Sequence, residues 1–171
     1  MSFFNIVAAT NEDTVVSTYE PSKVRSDSYQ SEAELEKEFI RLLCEQGYTY
    51  LPLHTEDELI ANLRSQLEEL NHYRFSDTEW RQFFSDVIAN PNEHIPEKTR
   101  KIQEDNVQVL HRDDGSSKNI TLIDKKNIHN NRLQVINQYE VKQADGARHD
   151  NRYDVTILVN GFPLVHVELK R

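Results

Sequence analysis

The stretch that decides the fold is residues 151–170, which read NRYDVTILVNGFPLVHVELK. Apolar residues with a period of two predict two strands, Tyr153–Val159 and Leu164–Leu169, joined around Asn160-Gly161. Apolar side chains stand at odd-numbered positions on both strands, so they share one face only if paired residue numbers add to an even number. A two-residue turn would give an odd sum. The pattern therefore predicts a three-residue or bulged loop, with Gly161 as its left-handed residue.

Even pairing has a chemical consequence, because it puts Asp154, Glu168 and Lys170 on one face of this hairpin. Two converging carboxylates repel each other unless a cation lies between them or one of them is protonated. Hard oxygen ligands suit Mg²⁺ or Mn²⁺, and Lys170 could orient or deprotonate a water or stabilise charge on phosphorus. The motif predicts metal-assisted phosphodiester hydrolysis. The alternative is the ordinary charged face of an amphipathic hairpin.

The rest of the chain divides into a helical part, about 28–90, and a strand-rich part, about 105–171. Three capping-box pairs start helices in the first part, and Asn90-Pro91 ends the last one; the pairs are Ser31/Glu34, Thr55/Glu58 and Ser76/Glu79. Two apolar runs around a polar loop at 113–117 predict a hairpin in the second part. Residues 1–27 show little periodicity and are expected to form an N-terminal arm. The fold class predicted is α/β, with helices around a mixed sheet.

Composition excludes several classes of protein. A chain of 171 residues is one domain, and a mean hydropathy of −0.74 with no long apolar run argues against a membrane span. The single cysteine, Cys44, excludes a disulfide framework. Cys44 follows the apolar residues of the first helix in the sequence and is expected in the core. No secretory signal is evident, so the cytoplasm is the expected compartment.

The net charge of −9 argues against binding to nucleic acid, but the charge is unevenly distributed. Residues 1–117 carry 11 basic and 23 acidic side chains, whereas residues 118–171 carry 9 basic and 6 acidic ones. A locally positive segment is what contact with a polyanion requires. A sheet that simply carries Lys and Arg on its solvent side is the alternative.

Several motifs together resemble a known family. These are Asp27–Glu32, Pro96–Ile102, Leu122–Asn127, and the last hairpin with Asp154 followed by Glu168-Leu169-Lys170. They are similar to the amino-terminal region of the R (restriction) subunit of type I restriction–modification enzymes, within the PD-(D/E)xK nuclease superfamily. The resemblance covers nearly the whole chain from about Asp27.

The resemblance implies a restriction-endonuclease-like domain that cuts double-stranded DNA at the front of an ATP-driven motor subunit. It implies methyltransferase and specificity subunits as partners, and ATP binding only through the motor region, since this chain has no P-loop motif. Asp154 and Glu168 would be ligands of Mg²⁺ or Mn²⁺, and Lys170 the catalytic lysine. Glu36 on the first helix is the candidate for a further metal ligand, with Glu32 in reserve, and a surface position is its alternative.

Besides the missing P-loop motif, the sequence departs from the family pattern at two points. Tyr153 replaces the proline before the first catalytic Asp, and the chain stops at Arg171, one residue after Lys170. The expected domain is therefore a fragment of a larger motor subunit, truncated after the catalytic hairpin, and its activity alone stays open. Another nuclease of the superfamily, such as a junction resolvase, and a non-catalytic docking module for a partner subunit are the rival interpretations.

Other residues are candidates for DNA contact. Arg148 and Arg152 lead into the catalytic strand, and Lys125 and Lys126 lie in a predicted turn, where a solvated surface is the alternative. His166 is expected on the face of Glu168, as a half-buried sheet histidine more than a catalytic one. The aromatic residues at helical spacing, Trp80, Phe83 and Phe84, are expected in the core.

Overall fold

The computed structural model describes residues 3–9, 15–20, 31–141 and 151–170. The chain divides into two compact units, residues 1–31 and residues 32–171. In the first unit, strands β1 (Phe3–Ala9) and β2 (Val15–Glu20) form an antiparallel hairpin. The expected N-terminal arm therefore contains a hairpin that the sequence pattern did not predict. Its aromatic and β-branched residues favour strands, but they do not alternate with polar residues.

The second unit begins with the predicted helices α1 (Glu32–Glu45), α2 (Glu56–Asn71) and α3 (Asp77–Phe83). A π-helical turn, Phe84–Ile88, continues α3. The capping boxes of α2 and α3 are formed. The Glu58 amide donates to Thr55 Oγ1 at 3.3 Å, and the Glu79 amide donates to Ser76 Oγ at 3.1 Å. Both capping predictions are confirmed.

A fourth helix, α4 (Ile95–Gln103), lies between the two parts and was not predicted. Its first turn contains Pro96, which has no amide hydrogen to leave unsatisfied there. The side chain of Glu97 accepts a hydrogen bond from the backbone amide of His94 at 3.0 Å, as in a capping box. The start was missed because the residue before it is histidine and not a usual N-cap residue.

Two sheets follow. Strands β4 (Val107–His111) and β5 (Ser117–Thr121) form the predicted hairpin. The larger sheet has the order β3-β6-β7-β8, made of β3 (Thr49–Tyr50), β6 (Leu133–Val141), β7 (Asn151–Val159) and β8 (Phe162–Val167). Strand β3 runs parallel to β6, and the other pairs are antiparallel. The prediction of an α/β fold with a mixed sheet is confirmed.

The larger sheet is covered on both faces. On one face Leu43 of α1 packs against Val135 and Val155, and we call this the α1 side. On the other face Leu59 of α2 packs against Ile136 and Leu158, and we call this the α2 side. A third cluster joins α2 and α3 to the β4–β5 hairpin and includes Trp80 and Phe83, as predicted. The β7–β8 hairpin, which carries the candidate site, thus belongs to a sheet that packs between α1 and α2.

Cys44 is exposed, so its expected place in the core is wrong. The buried stripe of α1 is formed by Phe39, Ile40 and Leu43. The next residue is rotated by about 100° around a helix axis, which carries Cys44 away from the sheet.

The register of the last hairpin differs from the prediction in one respect. Val159 pairs with Phe162 across the two-residue turn Asn160-Gly161, and the register shifts between Ile157 and Leu158. The expected three-residue or bulged loop is therefore wrong, because the extra residue is Leu164, inside β8. Beyond it the even sums hold, since Val155 pairs with Val167. Parity requires one extra residue but does not fix its position along the strand.

None of the helices in the described part of the chain is long and apolar enough to cross a membrane.

Candidate active site

Asp154 lies close to the segment that follows β8. The ladder between β7 and β8 ends at the pair of Val155 and Val167, and Asp154 and Glu168 are the residues next to this pair in the two chain segments. The Asp154 Oδ2 accepts a hydrogen bond from the backbone amide of Leu169 at 2.7 Å. The structure thus brings the first predicted carboxylate to the Glu-x-Lys segment, which carries the other two predicted site residues.

Glu168 and Lys170 form an ion pair, with 3.0 Å between Oε2 and Nζ and side chains that are 66% and 77% exposed. The Glu168 carboxylate, first through its hydrogen bond and then through its charge, raises the pKa of Lys170, and Asp154 adds to the effect. A lysine with a raised pKa remains a cation at neutral pH. A protonated lysine cannot deprotonate a water, but it can stabilise negative charge.

Glu36 faces the sheet. Its Oε1 accepts a hydrogen bond from Asn137 Nδ2 at 2.6 Å, and its Oε2 accepts one from Gln138 Nε2. Both amides belong to β6, the neighbour of β7. Glu36 is therefore turned towards the strands that carry the candidate site, whereas Glu32, the reserve candidate, is exposed at the start of α1.

Gln138, the second residue of β6 that donates to Glu36, has an unusual backbone. Its φ is 56°, a left-handed value that is rare for residues other than glycine, asparagine and aspartate. Its Oε1 is buried without a hydrogen-bond partner among the described residues. A glutamine within a strand gives no signal of either property, so sequence patterns could not have found it.

His166 belongs to the sheet. Its Nδ1 lies 2.9 Å from Thr156 Oγ1, and its ring stacks on Tyr153 with 4.0 Å between centroids. Removal of the ring from water lowers the pKa of His166, so the imidazole is neutral at pH 7. These contacts agree with the structural interpretation of this histidine.

The predicted DNA-contact residues have different surroundings. Lys125 Nζ donates to the carbonyls of Gln103 and Glu104 at the end of α4, at 2.9 and 3.2 Å, which is a helix-capping contact. Lys126 is exposed. Arg148 lies outside the described residues, and Arg152 is placed in β7 by its backbone alone.

The described residues contain no group of three His, Cys, Asp or Glu side chains that could hold a metal ion. Glu36, Asp154 and Glu168 therefore do not form a three-carboxylate cluster. Asp154 and Glu168 offer carboxylate oxygens, the donor type that hard divalent cations such as Mg²⁺ and Mn²⁺ prefer.

Comparison with known proteins gives the relatives of this chain. Residues 29–171 match the family described as "Type I restriction enzyme R protein N terminus (HSDR_N)". The chain is 45% identical over 166 residues to the type I restriction enzyme EcoprrI endonuclease subunit of Escherichia coli, covering 96% of the chain and 52% of that relative. It is 35% identical over 148 residues to the type I restriction enzyme SsaAORF53P endonuclease subunit of Staphylococcus saprophyticus.

These matches define the class of protein as the endonuclease subunits of type I restriction enzymes. The chain belongs to the family of type I restriction enzyme R protein N termini, as the motif resemblance predicted. The chain spans about half the length of the E. coli relative. Its match to the S. saprophyticus relative covers 84% of the chain but only 15% of that relative.

Proposed function

We propose that this chain is the DNA-cleaving domain of a type I restriction enzyme R subunit, with the fold of the PD-(D/E)xK nucleases. It would hydrolyse phosphodiester bonds in double-stranded DNA with the help of Mg²⁺ or Mn²⁺. The observation that carries the proposal is the hydrogen bond from the Leu169 amide to Asp154, which joins Asp154 to the Glu168–Lys170 pair. The names of the relatives support the nuclease role.

The chemistry follows from the residue types. Asp154 and Glu168 would hold the cation through carboxylate oxygens, and the Leu169 amide fixes the orientation of the Asp154 carboxylate before any ligand arrives. The cation, when bound, supplies positive charge to a phosphate oxygen and makes a bound water more acidic. Two carboxylates beside a cation are the donor set that such chemistry needs.

Lys170 would stabilise the negative charge that develops on phosphorus during attack by water. Its raised pKa keeps it protonated, and its pairing with Glu168 holds the ammonium beside the predicted metal ligands. Arg148, Arg152, Lys125 and Lys126 remain candidates for contact with the DNA backbone. The capping contact of Lys125 makes Lys126 the better candidate of that pair.

The remaining parts of the proposal concern the longer protein. ATP-driven translocation would reside in a motor region, and recognition in methyltransferase and specificity subunits of the same complex. Such work on DNA would take place in the cytoplasm. The restriction-enzyme names of the relatives argue against a junction resolvase, the rival within the same superfamily.

The test is Asp154→Ala in the R subunit assembled with its partner subunits. We expect loss of plasmid cleavage with complex assembly and ATP hydrolysis unchanged. Asp105→Ala is the control, because Asp105 is an exposed aspartate that lies in neither strand of the last hairpin. Normal cleavage by Asp154→Ala would instead support the docking-module interpretation.

A further inference from the structure

An apolar groove opens at the surface between α4 and the first residues of β8, and we call it the α4–β8 groove. Its volume is about 220 Å³. Pockets that take drug-sized ligands are larger, roughly 300–1,000 Å³, so this groove fits one or two side chains. Its lining is mostly apolar and includes Ile88, Ile102, Phe162 and Leu164.

The motifs that carry the family resemblance meet at this groove. Ile102 ends the motif Pro96–Ile102, and Leu122 begins the motif Leu122–Asn127. Both residues line the groove together with Leu164 of the last hairpin. The nuclease function proposed above gives no role to Pro96–Ile102. The groove is therefore a feature of the molecule that this function does not explain.

The bulge in β8 contributes Leu164 to the groove. The two register pairs that flank the bulge are Ile157–Val165 and Leu158–Pro163, so Leu164 has no partner in β7. A bulge changes the direction of a side chain and is common next to functional places. Leu164 lines the groove and is 43% exposed. The extra residue of this hairpin thus leaves apolar surface partly in water.

Two lysines of α4 line the groove, and one of them is already paired. Lys101 Nζ donates to the Val87 carbonyl at 2.6 Å and pairs with Glu93 at 2.5 Å. Lys98 is half-buried and has neither a hydrogen bond nor an ion pair with any residue that the structure describes. Leaving a cation unpaired beside apolar surface costs more than leaving it in open water. Lys98 therefore provides a positive charge for an occupant of the groove.

These features fit a protein segment that presents an apolar side chain next to a carboxylate. The apolar side chain matches the lining of the groove, and the carboxylate matches the charge of Lys98. Nucleic acid fits less well, because the surfaces that bind it are polar and strongly positive. The expected occupant is therefore a protein segment with apolar and acidic residues.

The size of the groove indicates where this segment comes from. A stable interface between separate proteins buries about 800 Å² on each partner, which a groove for one or two side chains does not provide. A segment of the same polypeptide needs fewer contacts, because tethering gives it a high effective concentration. The S. saprophyticus relative has ample chain for such a segment, since the match covers 15% of its length.

We propose that the α4–β8 groove docks an acidic, apolar segment of the remainder of the R protein. Lys98 pairs with the carboxylate of this segment, and Ile102, Phe162 and Leu164 contact its apolar side chain. The docking holds the domain against the rest of the same polypeptide. This inference rests on the R-subunit part of the function proposed above and not on its metal or nuclease chemistry.

The test is carbodiimide cross-linking of the full-length R subunit, followed by mass spectrometry of its peptides. The reagent joins a lysine amine to a carboxylate that contacts it. We expect a link from Lys98 to an Asp or Glu of the same polypeptide outside residues 1–171. Lys126 is the control, because it is exposed but does not line the groove, and it should not be linked to that segment. No link from Lys98, or a link only to another subunit, would overturn the proposal.

Charge reversal tests the ion pair without relying on one variant. Lys98→Glu should abolish the link, and the fold should tolerate it, because a carboxylate near the start of a helix is favourable. Changing the linked carboxylate to lysine in the same protein should restore a link at position 98. A structural role of Lys98 would not produce this recovery. Failure of the link to return would overturn the pairing.

Leu164→Gln tests the apolar part of the contact. The initial rate of cross-linking at Lys98 should fall by about threefold or more, because less apolar surface is buried on docking. Val165→Gln is the matched control, since Val165 is the next residue, is 46% exposed and does not line the groove. Its cross-linking rate should equal that of the wild type. Equal rates in the two variants would overturn the role of the groove.

Failure of this inference and failure of the nuclease function give different results. A missing link at Lys98, with cleavage lost in Asp154→Ala, would overturn the docking and leave the nuclease function standing. The expected link at Lys98, with normal cleavage by Asp154→Ala, would overturn the nuclease function and leave the docking standing.

Discussion

The carboxylate of Asp154 accepts a hydrogen bond from the backbone amide of Leu169, with 2.7 Å between Oδ2 and N. This contact joins β7 to the residue between Glu168 and Lys170. The hydrogen bond thereby links Asp154 to the backbone of the segment that carries Glu168 and Lys170. The orientation of Asp154 therefore depends on the position of this segment, whatever ligand the site receives.

Asp154→Asn should separate charge from geometry at this position. The asparagine amide oxygen can still accept the hydrogen bond from Leu169, so the free energy of unfolding should change little. The lost negative charge removes a cation ligand, and cleavage of plasmid DNA by the assembled R subunit should fall by about 100-fold or more. Urea unfolding and a cleavage assay measure the two effects. Cleavage at the wild-type rate would contradict a ligand role for Asp154.

Lys170→Met should reduce cleavage by about 100-fold without loss of stability, because removing a group that stabilises transition-state charge has effects of this size. The Glu168–Lys170 pair is exposed, and such pairs add little to stability. Lys170→Arg keeps the charge and is the control for it. A thermal unfolding temperature that drops in Lys170→Met, with cleavage retained, would give this lysine a structural role.

The raised pKa of Lys170 also predicts how cleavage varies with pH. Because the ammonium is stabilised by Glu168, loss of its proton should not limit the cleavage rate between about pH 7 and 9. The measurement is the pH profile of DNA cleavage at constant ionic strength. A rate that falls along a single titration near pH 8 in the wild type, and not in Lys170→Arg, would contradict a permanently charged Lys170.

Local sequence patterns predicted most of the elements in the second unit. The capping pairs at Thr55 and Ser76 place helix starts because a hydroxyl and a carboxylate three residues apart satisfy the same two amides. Period-two patterning placed the strands of the last hairpin. Helix α4 was not predicted, because its N-cap residue is an unusual one. The hairpin of β1 and β2 was not predicted, because it depends on pairing between strands, which local periodicity does not show.

The candidate site was predicted only in part. Register arithmetic predicted even pairing sums, which the Val155–Val167 pair confirms, because two buried apolar faces constrain the pairing. It could not place the bulge at Leu164 or the kink at Gln138. Parity requires one extra residue without fixing its position, and a glutamine within a strand gives no sign of a left-handed backbone.

Stability should fall in acid because of two buried carboxylates, Glu68 and Glu79, which are 8% and 4% exposed. Burial alone would raise the pKa of each carboxyl. For Glu68 the effect of burial is outweighed by hydrogen bonds from Arg74, Arg64 and the Phe75 amide, which lower the pKa. For Glu79 it is outweighed by hydrogen bonds from the Ser76 amide, Tyr73 and the Asp113 amide. Both values therefore lie below the ordinary pKa of 4.5.

A depressed folded-state pKa stabilises the protein above the unfolded pKa, and this stabilisation is lost as the pH falls through the folded pKa. Urea unfolding at pH 7 and at pH 3 should show the loss. Glu68→Gln should lower the free energy of unfolding at pH 7 by about 2 kcal/mol, since Arg64 and Arg74 lose their charged partner. The free energy of unfolding of this variant should also fall less between pH 7 and pH 3 than that of the wild type. Equal acid sensitivity would show that Glu68 titrates as an ordinary carboxyl.

Gly161→Ala should test the packing of α2 on the turn between β7 and β8. Gly161 has a φ of 83°, and a Cβ there would lie 2.6 Å from the Leu63 Cα, which is backbone and cannot turn aside. Gly115→Ala is the matched control, because its φ is 81° with nothing within 4 Å of the added carbon. We expect Gly115→Ala to lower the free energy of unfolding by about 1 kcal/mol, the cost of a left-handed alanine.

The Gly161→Ala variant should lose about 3 kcal/mol or more, because the clash adds to the same conformational cost. Urea unfolding at pH 7 compares the two variants directly. Equal losses would mean that α2 does not press on the turn as the structure shows. The difference between them isolates the contact of Leu63 with Gly161, since the backbone angles at the two glycines are nearly the same. Through this contact α2 holds the turn that joins β7 to β8, the strands that lead to Asp154 and Glu168.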